Sequence, residues 1–242
     1  MECPVQRSMK ELRTRSNIWA QRDVYRSTKY LYDGRENYDA IDLMNLVERY
    51  SMAADDNFSR DLRQKFVRNF DDDEYYQLDY GGFKRYLKDY YRHLDRLFFF
   101  GLLNEEVRKP ASGKYEPLVT LEVRGVAPAS RSGRTTRTTL GEFRYDEHKI
   151  YIFTSGGYES WNLPKVITTL AHEMAHAFLG IFRTEGKDEP KRWVKLDDGH
   201  GQMFWELVHF IYQKLYDWTG VSFFDREACA AHYRLELAQL SR

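Results

Sequence analysis

His172, Glu173 and His176 lie inside an apolar run from Thr168 to Gly180 and spell H-E-x-x-H. Residues i and i+4 of an α-helix share a face, so both imidazoles can reach one metal ion while Glu173 sits one step round the helix. Val166, Ile167, Leu170, Ala171, Met174, Ala175, Phe178 and Leu179 recur at helical spacing, Pro164 suits a first turn, and Asn162 suits an N-cap. The stretch is therefore expected to be a helix carrying two metal ligands and a base. Two packed or solvated histidines are the competing reading of the same short pattern.

A catalytic zinc takes three protein ligands and keeps one position for water, so the pattern needs a further donor downstream. His200, Glu206 and His209 are the candidates. His200 lies between Gly199 and Gly201 at an expected loop-to-helix junction, where the backbone can turn its ring toward the first helix, and it is the expected third ligand. Glu206 is the alternative, as a helical carboxylate. His209, between Val208 and Phe210, reads as a packed or hydrogen-bonded histidine. The longer H-E-x-x-H-x-x-G-x-x-H pattern is excluded, because Leu179 and Phe182 occupy its glycine and histidine positions. His93, His148 and His232 read as ordinary surface or core residues.

With 242 residues the chain can bury a core without covalent staples. Lys plus Arg and Asp plus Glu both number 37, which argues against a protein that coats nucleic acid indiscriminately but leaves room for a local basic patch. Cys3 and Cys229 alone build neither a disulfide framework nor a Cys-type zinc ribbon, so an intracellular protein is expected. The first thirty residues hold no apolar stretch of the signal-peptide kind, and no segment approaches a membrane span.

Residues 1–80 read as a helical N-terminal extension. Ser8 and Glu11 can form a capping box, Asp39 precedes Ile41, Leu43, Met44, Leu46, Val47 and Tyr50, and Leu62, Phe66, Val67 and Phe70 mark another short helix. The acidic run from Asp71 to Glu74 reads as a solvated connection, and a boundary is expected there. In residues 81–242, Phe83, Tyr86, Leu87, Tyr90, Leu94, Leu97 and Phe98 predict a helix ending near Gly101. Leu118 to Val123 predicts a strand, and Glu142 to Tyr145 with Ile150 to Phe153 predicts a hairpin turning through Asp146, Glu147 and His148. Arg183 to Gly199 reads as a polar loop, Met203 to Leu215 as a helix, and Asp225 as the cap of a last one. The expected class is α+β, a small antiparallel sheet packed on the H-E-x-x-H helix.

Leu97 to Leu102, the strand from Val119 to Arg124, Phe143 to Tyr145, the helix from His172 to Gly180 and the segment Gly199 to Phe204 together resemble the SprT-like (Spartan-type) metalloprotease domain over roughly Phe83 to Tyr216. The resemblance implies a zincin-like fold with one catalytic Zn2+ held by His172, His176 and His200, and Glu173 as the catalytic acid. The Cys-rich ribbon that follows the protease region in bacterial members has no counterpart, since Cys229 is the only cysteine after His200.

The resemblance further implies protein substrates that are associated with or crosslinked to DNA, with single-stranded or junction-containing DNA as a partner and the nucleus as the place of work. Arg124, Arg131, Arg134, Arg137 and Arg144 fall in one Ser-, Thr- and Gly-rich stretch whose only acid is Glu142, and such a loop can track phosphates. Arg131, Arg134 and Arg137 are the expected nucleic-acid contacts; a solvated basic loop is the competing reading. Arg7, Lys10, Arg13, Arg15, Arg22, Arg26 and Lys29 form a second basic stretch, diluted by Glu11 and Asp23.

Overall fold

The computed structural model describes residues 40–53, 57–70, 79–108, 113–125, 140–154, 162–183 and 200–240. The Ser8–Glu11 capping box, both basic stretches except Arg124 and Arg144, the acidic run from Asp71 and nearly all of the polar loop before His200 lie outside the described residues.

Helix α1, Ala40–Ala53, buries Leu43, Met44, Leu46 and Val47, the face that their three- and four-residue spacing selects. Helix α2, Asn57–Phe70, buries Leu62 and Phe66. In α3, Tyr80–Phe98, the Asp79 carboxylate caps the start by accepting from Gly82 N at 2.6 Å. The end of α3 is tied by Asp95, whose carboxylate accepts from Leu103 N at 3.1 Å and Asn104 N at 2.8 Å while its main-chain oxygen accepts from Phe99 N and Gly101 N. Asp95 is fully buried, and burial pushes its carboxyl up to about 7 although these backbone donors and Arg96 pull the other way.

Strands β1, Glu106–Arg108, and β2, Tyr115–Pro117, form a separate antiparallel ladder. The second sheet holds β3, Thr120–Arg124, β4, Gly141–Arg144, and β5, Lys149–Phe153, in the order β3-β5-β4. The hairpin forms as expected, with Gly141 opposite Ile152 and Arg144 opposite Lys149. The sheet as a whole is not antiparallel: β3 lies parallel to β5, with Thr120 opposite Lys149 and Arg124 opposite Phe153. Alternation decides which side chains face the core but is the same for either strand direction, so the mixed sheet has no signature in the pattern. Leu118 and Val119 also fall outside the strand; both are fully buried, and their N–H groups donate to Glu105 O and Leu103 O.

Ile150 and Ile152 join the core, while Tyr151 and Phe153 stack on the other face at 6.2 Å. The guanidinium carbons of Arg124 and Arg144 lie 4.0 and 4.8 Å from the centre of the Tyr151 ring. The Tyr151 hydroxyl donates to Glu147, and burial together with that carboxylate pushes it up to about 12.

Helix α4, Leu163–Phe182, contacts β4 and β5. Its Asn162 cap accepts from Lys165 N at 2.9 Å. Tyr145 at the hairpin tip lies so close to Gly180 that a Cβ there would come within 2.5 Å of its Cε2, so a larger residue at that position would displace the tyrosine ring. Helices α5, Gln202–Thr219, and α6, Ser222–Leu240, pack closely on each other, and α5 also meets α4. Asp225 is not the cap of α6: the helix starts three residues earlier, and the carboxylate sits in its first turn, where the positive end of the helix dipole favours it. One continuous cluster of buried side chains runs from Leu43 in α1 to Leu235 in α6.

Candidate metal centre

His172 and His176 project from α4 one turn apart, and His200 reaches them from two residues before α5. The Nε2 atom of His200 lies 3.0 Å from Nε2 of His172 and 3.1 Å from Nε2 of His176. Hydrogen bonding does not account for this convergence well. A neutral imidazole nitrogen offers one proton or one lone pair, and here His200 would have to share one with two partners. A cation accepts all three lone pairs together. Zn–N bonds of about 2.0–2.1 Å at tetrahedral angles put such nitrogens about 3.3–3.4 Å apart, close to the separations found. Among the described residues these three histidines are the group able to hold a metal ion.

Burial also favours the neutral form of His172 and His176. Burial, then the neighbouring histidines, holds His176 well below the ordinary histidine value. Burial, then His200 and more weakly the charge of Arg234, brings His172 down to about 3. Metal ligation needs the neutral ring, so at His172 and His176 no proton competes at physiological pH.

Phe204, only 2% exposed, backs the whole set: its ring centre lies 4.1 Å from His176 in a stacked arrangement and 4.8 Å from both His172 and His200 edge-on. Trp205 stacks on His200 at 5.2 Å with an interplanar angle of 18°. The positions of Phe204 and Trp205 on the first turn of α5 are readable, but nothing in a linear pattern says which ring they face.

Glu173 is 7% exposed and accepts from the Phe143 N–H of β4. Burial pushes its carboxyl up to about 8, with Glu142 adding to the rise. A cation held by the adjacent histidines would lower that value and favour the carboxylate, the form that can accept a proton. Gly141 makes this fit possible, since a Cβ on it would lie 2.8 Å from Glu173 Cγ, 2.9 Å from Thr169 Cγ2 and 3.0 Å from Glu173 Oε1. Its sequence signal is weak, a lone glycine beside a strand.

His172 and Glu173 open onto a cavity of about 410 Å³ between α4, β4, α5 and α6. Thr168, Thr169, Ala230 and Ala231 give it small walls, Tyr212 and Trp205 line it from α5, and Lys165, Glu227 and Arg234 bring charge. Tyr212 is buried and donates to Thr168 O at 2.9 Å.

The other candidates lie elsewhere. Glu206 is half-buried and raised by burial and by the charge of Glu48 on α1, and it is not part of the histidine group. His209 has its Nδ1 3.0 Å from Ala228 O and its ring 5.1 Å from His232, which pairs with Glu236. His148 is buried in the hairpin turn. Arg131, Arg134 and Arg137 lie outside the described residues. Their flanking cations are locally neutralised: Arg124 pairs with Glu122 at 2.9 Å, and Arg144 with Glu142 at 3.2 Å and Glu147 at 2.9 Å. No protein-family model, no curated protein and no solved structure matches the chain.

Proposed function

We propose that this chain is a zinc-dependent endopeptidase in which His172, His176 and His200 hold the ion and Glu173 moves the proton. The observation that carries this reading is the convergence of three imidazole nitrogens, His200 Nε2 lying 3.0 and 3.1 Å from those of His172 and His176, beside a buried carboxylate on one cavity wall. Zinc, when bound, supplies Lewis-acid polarisation of a peptide carbonyl and makes water acidic enough to deprotonate near neutral pH. Glu173 takes the proton of the attacking water on its carboxylate and passes it to the leaving amine. The Phe143 N–H holds that carboxylate in place through both transfers. Phe204 and Trp205 keep bulk water from the back of the histidines, since both are at most 9% exposed.

Proteins bound or crosslinked to DNA are the proposed substrates and the nucleus the proposed location, on the strength of the SprT-like motifs. A DNA-independent intracellular peptidase is the second reading, favoured by the ion pairs that neutralise Arg124 and Arg144. Among the described residues no helix is long and apolar enough to cross a membrane.

The test is cleavage of a DNA-binding protein by wild type and by Glu173→Gln, with and without single-stranded DNA. Glu173→Gln should keep zinc and lose about 10²–10⁴-fold in rate. Near wild-type cleavage by that variant removes the peptidase reading, whereas equal wild-type cleavage without DNA removes only the DNA requirement.

A further inference from the structure

His172 and His176 need little help to stay in register, because one rigid helix fixes their spacing. His200 is different. It precedes α5, so its ring plane must be set by what touches it. Phe204 meets it edge-on, and Trp205 stacks on it almost parallel, at 5.2 Å and 18°. Trp205 also lies 6.0 Å from His172, so one indole touches two members of the set. The guanidinium of Arg234, from the second half of α6, lies 4.7 Å from the Trp205 ring centre. Among the described residues Arg234 has no carboxylate partner within ion-pair distance, so the indole face is what holds it.

We propose that Trp205 and Arg234 are positioning residues for the third metal ligand: the indole fixes the plane of His200, and Arg234 fixes the indole. The last helix is then part of the metal centre although it donates no ligand. This inference rests on the metal-binding reading above. Simple Coulomb repulsion makes the opposite prediction, because removing a cation that acts on His172 should tighten the hold on a divalent ion. The two accounts therefore differ in sign.

The experiment uses the full chain and measures Zn2+ affinity by chelator competition, with the absorption spectrum of the Co2+-loaded protein as the geometric readout. Arg234 is exposed, so Arg234→Ala should leave folding intact. It should weaken Zn2+ binding about 10-fold and alter the Co2+ bands, and Trp205→Leu should weaken it about 10- to 100-fold, as outer supports of metal ligands do. Arg234→Lys keeps a cation over the ring and should recover binding, while Tyr233→Ala, at a neighbouring exposed position, should change nothing. Unchanged or tighter Zn2+ binding by Arg234→Ala, with wild-type Co2+ bands, overturns the inference and leaves the metal site standing. Wild-type protein that holds no Zn2+ overturns both.

Discussion

At the scale of single residues, the centre depends on one absent side chain as much as on those present. Gly141 lies against Glu173 at a distance that no Cβ tolerates, with Glu173 Cγ only 2.8 Å away. Gly141→Ala must push the carboxylate, the strand or both, and misplacing a reacting group by about 1 Å can cost about 10²-fold. The expected outcome is an about 10- to 100-fold loss of peptide cleavage, with zinc stoichiometry unchanged. Full activity in this variant would mean that Glu173 is not held where the proton must be moved. The contrast with the histidines is instructive. His172, Glu173 and His176 were legible because a helix converts sequence spacing directly into spatial spacing, and His200 because two glycines flank it. Gly141, Trp205 and Arg234 were not, because each acts through a contact between elements far apart in the chain.

At the scale of elements, the helices were more legible than the sheet. The spacing of Phe83 to Phe98 and of Val166 to Leu179 records which face each helix buries, and the structure buries those faces. Strand direction leaves no such record, hence the parallel β3. The end of α3 shows a further limit, for Asp95 reads as one more charged residue between Leu94 and Arg96 yet is fully buried and ties the next turn. This carries a pH signature. The carboxyl stands at about 7 in the fold against an ordinary value of 3.8, so the folded state binds the proton more tightly. A raised value stabilises fully below the unfolded one and loses that contribution as pH rises through about 7. Wild type relative to Asp95→Asn should therefore lose stability between pH 4 and 7, by about 4 kcal/mol as an order of magnitude. Urea unfolding of both proteins across that window checks it, and parallel stability curves would clear Asp95 of this role.

At the scale of the whole molecule, the question is how the first helices relate to the metal centre. A boundary expected near residue 80 would make α1 and α2 an appendage, yet their buried side chains belong to the same cluster as those of α4 and α5. Phe66 is the clearest joint. It is fully buried in α2, its ring stands 5.1 Å from Tyr90 of α3 at right angles, and it lies 6.3 Å from Trp218 near the end of α5. Helix α5 is also the helix whose first turn carries Phe204 and Trp205 against the histidines, so disturbance at one end has a rigid path to the other. Phe66→Ala removes a large ring from a packed site and should cost about 3–5 kcal/mol. If the core is one cooperative unit, far-ultraviolet dichroism and loss of bound Co2+ absorbance should move to lower denaturant together and remain coincident. If the first helices fold apart from the rest, the dichroism should show an early partial transition while the Co2+ signal keeps its wild-type midpoint. The ring contacts to Tyr90 and Trp218 argue for the first outcome, because a cavity at Phe66 removes packing from α3 and α5 at once.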